Sequence, residues 1–183
     1  IASPLNLFDC SPISDGAVAI VVSNTKQSDR DIQILGSSIA TDSISLTQRK
    51  DFYSFNAAKI ATKNILKETN VKLKDIDIFE IHDCFTISQL IALEHIGLCE
   101  LGEAKNLIEQ GNILIHGSTP VNTDGGLKAN GHPIGATGLA QLFELVTQLR
   151  FEAGERQVSN PEVGLSHNIG GIGGTCGMTL LRG

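Results

Sequence analysis

The chain has 183 residues, 41% hydrophobic and 19% charged, with a formal net charge of -6. That length builds one ordinary domain with a proper core, or two very small ones, and the composition is that of a globular protein. The negative balance argues against broad binding to nucleic acid or anionic membranes.

No apolar run approaches the length that spans a bilayer, and Ile1-Ala2-Ser3-Pro4 does not open like a signal peptide. A start at Ile rather than Met gives the expectation of a piece of something longer, or of a processed product. Cys10, Cys84, Cys99 and Cys176 are scattered without a C-x-x-C pair, which favours a reduced, cytoplasmic setting over a disulfide scaffold.

Residues 1–16 read as irregular, with turns at Pro4, Pro12 and Asp15-Gly16. Residues 17–22 form a continuous apolar run and predict a buried strand. A polar loop follows, then a second strand over 32–40, an ambiguous polar stretch over 42–53, and a helix over 55–68 carrying Phe55, Ala58, Ala61 and Ile65. A strand over 76–81 ends at His82-Asp83-Cys84, and a mostly apolar helix over 85–96 stops at Gly97. A short helix near 103–110 precedes a long Gly-, Asn- and Pro-containing segment, 112–135, of the kind that usually carries function.

The helix over 137–150 has Thr137 as its expected N-cap and an apolar stripe of Leu139, Leu142, Phe143, Val146 and Leu149. Strands over 163–167 and 175–181 flank the run Gly170-Gly171-Ile172-Gly173-Gly174. Alternating strands and helices predict one α/β domain over 1–183, and the adjacent final strands predict a mixed sheet.

Three reactive clusters fall at strand ends or in glycine-rich loops: His82-Asp83-Cys84, Gly131-His132-Pro133 and His167-Asn168. Their spacing matches no familiar metal pattern, and the glycines at 170–174 precede a strand rather than a helix, so they offer no phosphate cradle. His132 stands just ahead of a helix N-terminus, whose dipole favours a neutral imidazole able to take or donate a proton.

The combination resembles the thiolase superfamily, and specifically its C-terminal half. Cys10-Ser11-Pro12-Ile13-Ser14-Asp15-Gly16-Ala17 looks like the segment ending in Asp-Gly-Ala. His82-Asp83-Cys84-Phe85 is similar to the HDCF signature of the sterol-carrier-protein and archaeal branch, where many other members have Asn-Glu-Ala-Phe. The stretch from Gly131 to Gly138 matches the GHP block, and His167-Asn168-Ile169-Gly170-Gly171 the last glycine-rich loop. The four motifs occur in family order.

The resemblance implies a layered α/β/α half with a mixed sheet, whose nucleophilic cysteine belongs to an N-terminal half. It implies acyltransfer on coenzyme A thioesters in lipid metabolism, with coenzyme A as substrate and no resident cofactor or metal. By motif, His132 activates the nucleophile, Cys84 moves the proton on and off the α-carbon, and His82 stands where the other branch uses Asn in the enolate oxyanion hole. The N–H of Gly170 contributes to a second oxyanion hole, and Ser11 falls where the family meets the coenzyme A arm.

Asn168 departs from the many thiolases that carry an acid/base cysteine there, and Cys84 compensates. Asp83 is expected to steady its loop and His167 to orient the last one; His95, His116, Cys10, Cys99 and Cys176 read as structural or surface residues.

The alternatives are a thiolase-like retro-aldolase acting on β-hydroxyacyl thioesters, or a non-catalytic or split subunit. The resemblance also implies a homodimer or tetramer, an apolar face toward the N-terminal half, and in some members a zinc-ribbon/OB-fold companion. A eukaryotic source would make a peroxisomal location the alternative to the cytoplasm.

Overall fold

The computed structural model describes residues 2–183; Ile1, on which the reading of an interior start rests, lies outside them. Four strands form one sheet in the order β1-β4-β3-β2: β1 (Gln33–Thr41), β2 (Ile78–Ile81), β3 (Val163–Gly170) and β4 (Thr175–Arg182). The pairs β1·β4 and β3·β4 are antiparallel and β2·β3 is parallel, so the sheet is mixed as expected.

Five α-helices are found among the described residues: α1 (Asn56–Thr69), α2 (Thr86–Ile96), α3 (Ala104–Glu109), α4 (Gly126–Asn130) and α5 (Thr137–Leu149). The larger core joins Ala57, Ala58, Ala61 and Ile65 of α1 and Leu93 of α2 to Phe79, Leu165 and Leu180 of the sheet. A smaller cluster joins Leu145 and Leu149 of α5 to Ile78, Val158 and Leu181. Because side chains alternate along a strand, Ile78 and Phe79 point to opposite faces, and the sheet is covered on both. This is the layered α/β/α arrangement.

The expected strand over 17–22 does not form. These residues are irregular, and Val21 and Val22 lie 96% and 70% exposed. A strand exists only by pairing, and among the described residues no edge of the sheet takes this run as a partner.

The stripe expected to bury α5 is also displaced. Thr137, Gln141, Glu144, Leu145, Gln148 and Leu149 are the buried positions, while Leu139 is 40% and Phe143 59% exposed. The helix turns largely polar residues toward the sheet and presents apolar ones outward. The long segment 112–135 contains α4, and its Val121 forms an isolated parallel bridge with Phe79 on the free edge of β2.

Candidate functional site

β2 ends into His82-Asp83-Cys84, and its parallel register with β3 pairs Ile81 with His167. The His82 N–H continues the ladder by donating to the His167 carbonyl at 2.9 Å. Side chains alternate, so His82 and Asn168 emerge on one face and His167 on the other. The Asn168 amide nitrogen lies 3.1 Å from His82 Nδ1.

The second histidine arrives from a different element. Gly131, at φ +85° and tight against Ser14, adopts a conformation suited to glycine and releases His132 from the end of α4. The His132 N–H donates to the Pro12 carbonyl at 3.2 Å, and its Nδ1 lies 2.7 Å from the Thr137 hydroxyl. The rings of His82 and His132 meet edge to face, with centroids 4.9 Å apart and planes at 88°.

Thr137 is not the N-cap of α5. That place falls to Ala136, and the Thr137 hydroxyl instead donates back to the Pro133 carbonyl at 3.2 Å.

Burial sets the protonation of this pair. His82 is pushed down to about 4, first by burial and then by the neighbouring His132; burial also lowers His132. The neutral imidazole expected at 132 is thus favoured by desolvation. Cys84 is half-buried and its thiol is raised, with burial the leading cause, so it stays protonated near neutral pH.

Two sets of contacts fix the surrounding loop. Asp83 Oδ1 accepts the Leu127 N–H at 2.7 Å, the steadying place expected of it. Ser11 donates its N–H to the Cys84 carbonyl at 2.8 Å, and Lys128 Nζ reaches the Cys10 carbonyl, so residues 10–12 are clamped between the HDCF turn and the GHP loop.

The structure therefore brings His82, Cys84, His132, Asn168 and Ser11 together through one connected set of loops. Gly170 lies two residues beyond Asn168 at the exposed end of β3, and among the described residues no hydrogen bond joins it to either histidine.

His167 is fully buried on the other face. Neither ring nitrogen has a partner among the described residues, and burial holds it down at about 3. His95 accepts the Phe55 N–H on Nδ1 at 2.9 Å, a structural contact.

Gln141 was not legible as a site residue. Its Nε2 donates to the His167 carbonyl at 3.0 Å, and its Oε1 accepts from Asn168 Nδ2 at 3.0 Å. The signal was a polar stripe at helical spacing, Thr137, Gln141, Glu144 and Gln148, on a helix whose other face is apolar.

Behind the site, a cavity of about 190 Å³ is lined by Glu80, Asp83, Asp124, Thr137 and Gln141 among others. Glu80 is buried with Oε1 unpartnered among the described residues, and its carboxyl is raised well above the usual range by burial and by Asp124, Glu144 and Asp83.

Residues 38–182 match the family described as Thiolase C-terminal domain-like. The chain belongs to that family.

It is 45% identical over 184 residues to an acetyl-CoA acetyltransferase from Methanothermobacter thermautotrophicus, covering 98% of this chain and 48% of that protein. It is 38% identical over 187 residues to sterol carrier protein 2 from Bos taurus, covering 97% of this chain and 34% of that one. The solved Ltp2-ChsH2(DUF35) aldolase superposes with a TM-score of 0.82 at 25% identity, over 100% of this chain and 48% of the solved one. This family member thus spans half or less of the length of the relatives it matches.

Proposed function

We propose that this chain is the C-terminal half of a thiolase-type acyltransferase that condenses or cleaves acyl-coenzyme A thioesters. The observation that carries the reading is the contact between His82 and His132, two neutral imidazoles from separate loops, with the protonated thiol of Cys84 on the same turn two residues beyond His82.

Claisen chemistry at a thioester needs a base to generate a thiolate, donors for the enolate oxygen, and a group that carries the α-proton. In this reading the nucleophilic cysteine comes from the N-terminal half and gives its proton to His132. His132, then protonated, and His82 donate to the thioester oxygen as the enolate forms. Cys84, as the thiol, returns a proton to the α-carbon in thiolysis; in condensation it first gives that proton to the departing coenzyme A thiolate and then, as the thiolate, removes the α-proton. Gly170 contributes its N–H to the oxyanion hole of the acyl-cysteine, and Ser11 meets the coenzyme A arm.

Support for a companion half comes from the surface. Leu139 and Phe143 of α5, with Val21 and Val22, are apolar and exposed among the described residues. A helix apolar on its outer face and tied to a sheet on its inner one is built for burial on both sides. In this reading α5 lies between the two halves, and the apolar run at 17–22 finds its strand partners there.

The name of the archaeal relative, acetyl-CoA acetyltransferase, supports acyl transfer. The aldolase superposition favours a second reading, retro-aldol cleavage of a β-hydroxyacyl thioester. That reaction uses a base for the β-hydroxyl and a donor for the enolate oxygen, and it needs no acyl-cysteine. The second component in the name of that aldolase makes a companion protein the partner to look for in this reading.

The test is an assay of the intact natural protein with acetoacetyl-coenzyme A and free coenzyme A. Release of acetyl-coenzyme A supports the acyltransferase. Cleavage of a β-hydroxyacyl thioester to a carbonyl product, without thiolysis, replaces it with the aldolase. Neither activity overturns both.

A further inference from the structure

Two imidazoles in contact can offer a substrate two donors, two acceptors, or one of each, and the tautomers decide which. The hydrogen bonds around the pair select one combination. A backbone carbonyl can only accept. The His167 carbonyl therefore holds the nitrogen end of the Gln141 amide, 3.0 Å away, and turns its oxygen toward Asn168. That oxygen can only accept as well, so it holds the Asn168 nitrogen at 3.0 Å. The same nitrogen then presents its second hydrogen to His82 Nδ1 at 3.1 Å. His82 Nδ1 must accept, and the single proton of the neutral ring is left on Nε2.

Reversing either amide would set oxygen against oxygen along this chain. The carbonyl at its head makes that costly, because a buried acceptor facing another acceptor loses its bond outright. Gln141 is 5% exposed, so water offers little relief.

The opposite outcome is built at His132. The Thr137 hydroxyl has one hydrogen and gives it to the Pro133 carbonyl at 3.2 Å. Its oxygen, 2.7 Å from His132 Nδ1, then accepts, and the His132 proton is on Nδ1. Nε2 of that ring keeps its lone pair.

We infer that Gln141 and Asn168 act as positioning residues that lock His82 with its proton on Nε2, while Thr137 locks His132 with its proton on Nδ1. The two touching rings thus rest as one donor, on His82 for the thioester oxygen, and one acceptor, on His132 for the proton of the nucleophile. Burial supports the lock, because a ring that resists protonation keeps a single hydrogen to place. The inference rests on the acyltransferase reading for its use, though not for its geometry. It also gives Asn168 a purpose, since the amide that orients the histidine at 82 stands opposite it on β3.

The experiment is long-range proton–nitrogen correlation NMR on the natural full-length protein labelled with nitrogen-15 histidine, with signals assigned by single histidine replacements. The expected spectrum shows His82 with a protonated Nε2 and His132 with a protonated Nδ1. Asn168→Asp puts an acceptor against Nδ1, so His82 should move its proton there. kcat should fall ~10²–10³-fold, the usual loss for one oxyanion donor, with KM little changed. Gln141→Met, of similar volume, should free the Asn168 amide to turn and give His82 a mixture of tautomers. The wild-type spectrum decides the matter even if a variant does not fold. His82 protonated on Nδ1 in the wild type, or unchanged in Asn168→Asp, overturns the inference. The expected tautomers in a protein without thiolysis would overturn the acyltransferase reading alone; thiolysis with His82 protonated on Nδ1 would overturn this inference alone.

Discussion

The ring of His82 stands perpendicular to that of His132, 4.9 Å away between centroids, although one residue follows β2 and the other α4. Each ring helps to shut water out from the other, and His132 adds repulsion against any charge on His82. Both therefore rest as neutral groups before the reaction begins. The acid limb of kcat/KM for the complete protein should have its midpoint below 6.5, the ordinary histidine value from which burial lowers His132. A pH–rate profile between 4 and 8 checks it, and a midpoint above 6.5 would contradict it.

Cys84→Ala separates the two halves of the proposed chemistry. Exchange of α-protons of acetyl-coenzyme A with solvent deuterium should fall ~10²–10⁴-fold, the usual worth of a positioned acid/base. Acyl transfer to the nucleophile should survive in part. Exchange at the wild-type rate in this variant would remove Cys84 from the reaction.

His167 is a polar ring in the core without partners among the described residues, so His167→Leu should stabilise the protein at neutral pH by about 1–3 kcal/mol. In the native state His167 takes up a proton only near 3, whereas the unfolded chain does so at the ordinary 6.5. Falling pH therefore favours unfolding through this residue from 6.5 down to about 3. Glu80 and Asp83, raised by burial, act in the opposite sense, so the clean measurement is the difference between wild type and variant. In urea denaturation that difference should widen by about 1.4 kcal/mol per pH unit below 6.5. A constant difference would mean that His167 is already charged or solvated.

Phe143→Lys probes the outward face of α5. The side chain is 59% exposed here, so the variant should leave this half intact and weaken what covers it. In the full-length protein, about 1.5–3 kcal/mol of stability should be lost, the value of one buried phenylalanine. An unchanged denaturation midpoint would show that nothing docks there.

Much of this was legible in the residues. Local periodicity found α1, which buries an apolar face against the sheet, and a mostly apolar composition ended by Gly97 found α2, each within a residue or two. The short motifs named His82, Cys84 and His132, whose positions follow from where β2 ends and where Gly131 turns.

What escaped was whatever depends on neighbours. Residues 17–22 have the composition of a strand, but pairing is a property of two segments. The wheel of α5 misled because apolar residues were assigned to the inside and polar ones to water. Gln141 and Glu144 face inward because they have bonds to make there: Asn168 and the His167 carbonyl for one, Thr123 and Gln148 for the other. Hydrogen bonding between distant elements leaves no period in a sequence.

The parallel register of β2 on β3 governs the site directly. Ile81 opposite His167 is what sets His82 and Asn168 on one side of the sheet. Sliding either strand by a single residue would point one of the two away from the other, and a slip of β2 would also exchange Ile78 and Phe79 between the two buried clusters. Register therefore ties the core and the site together, since the slip that parts His82 from Asn168 also misplaces buried side chains of β2. The short β2 is guarded against it from its free edge, where Asn122 clasps Ile81 with its side chain, accepting the N–H at 2.7 Å and donating to the carbonyl at 2.9 Å. Asn122 is in this sense the proofreader of the fold.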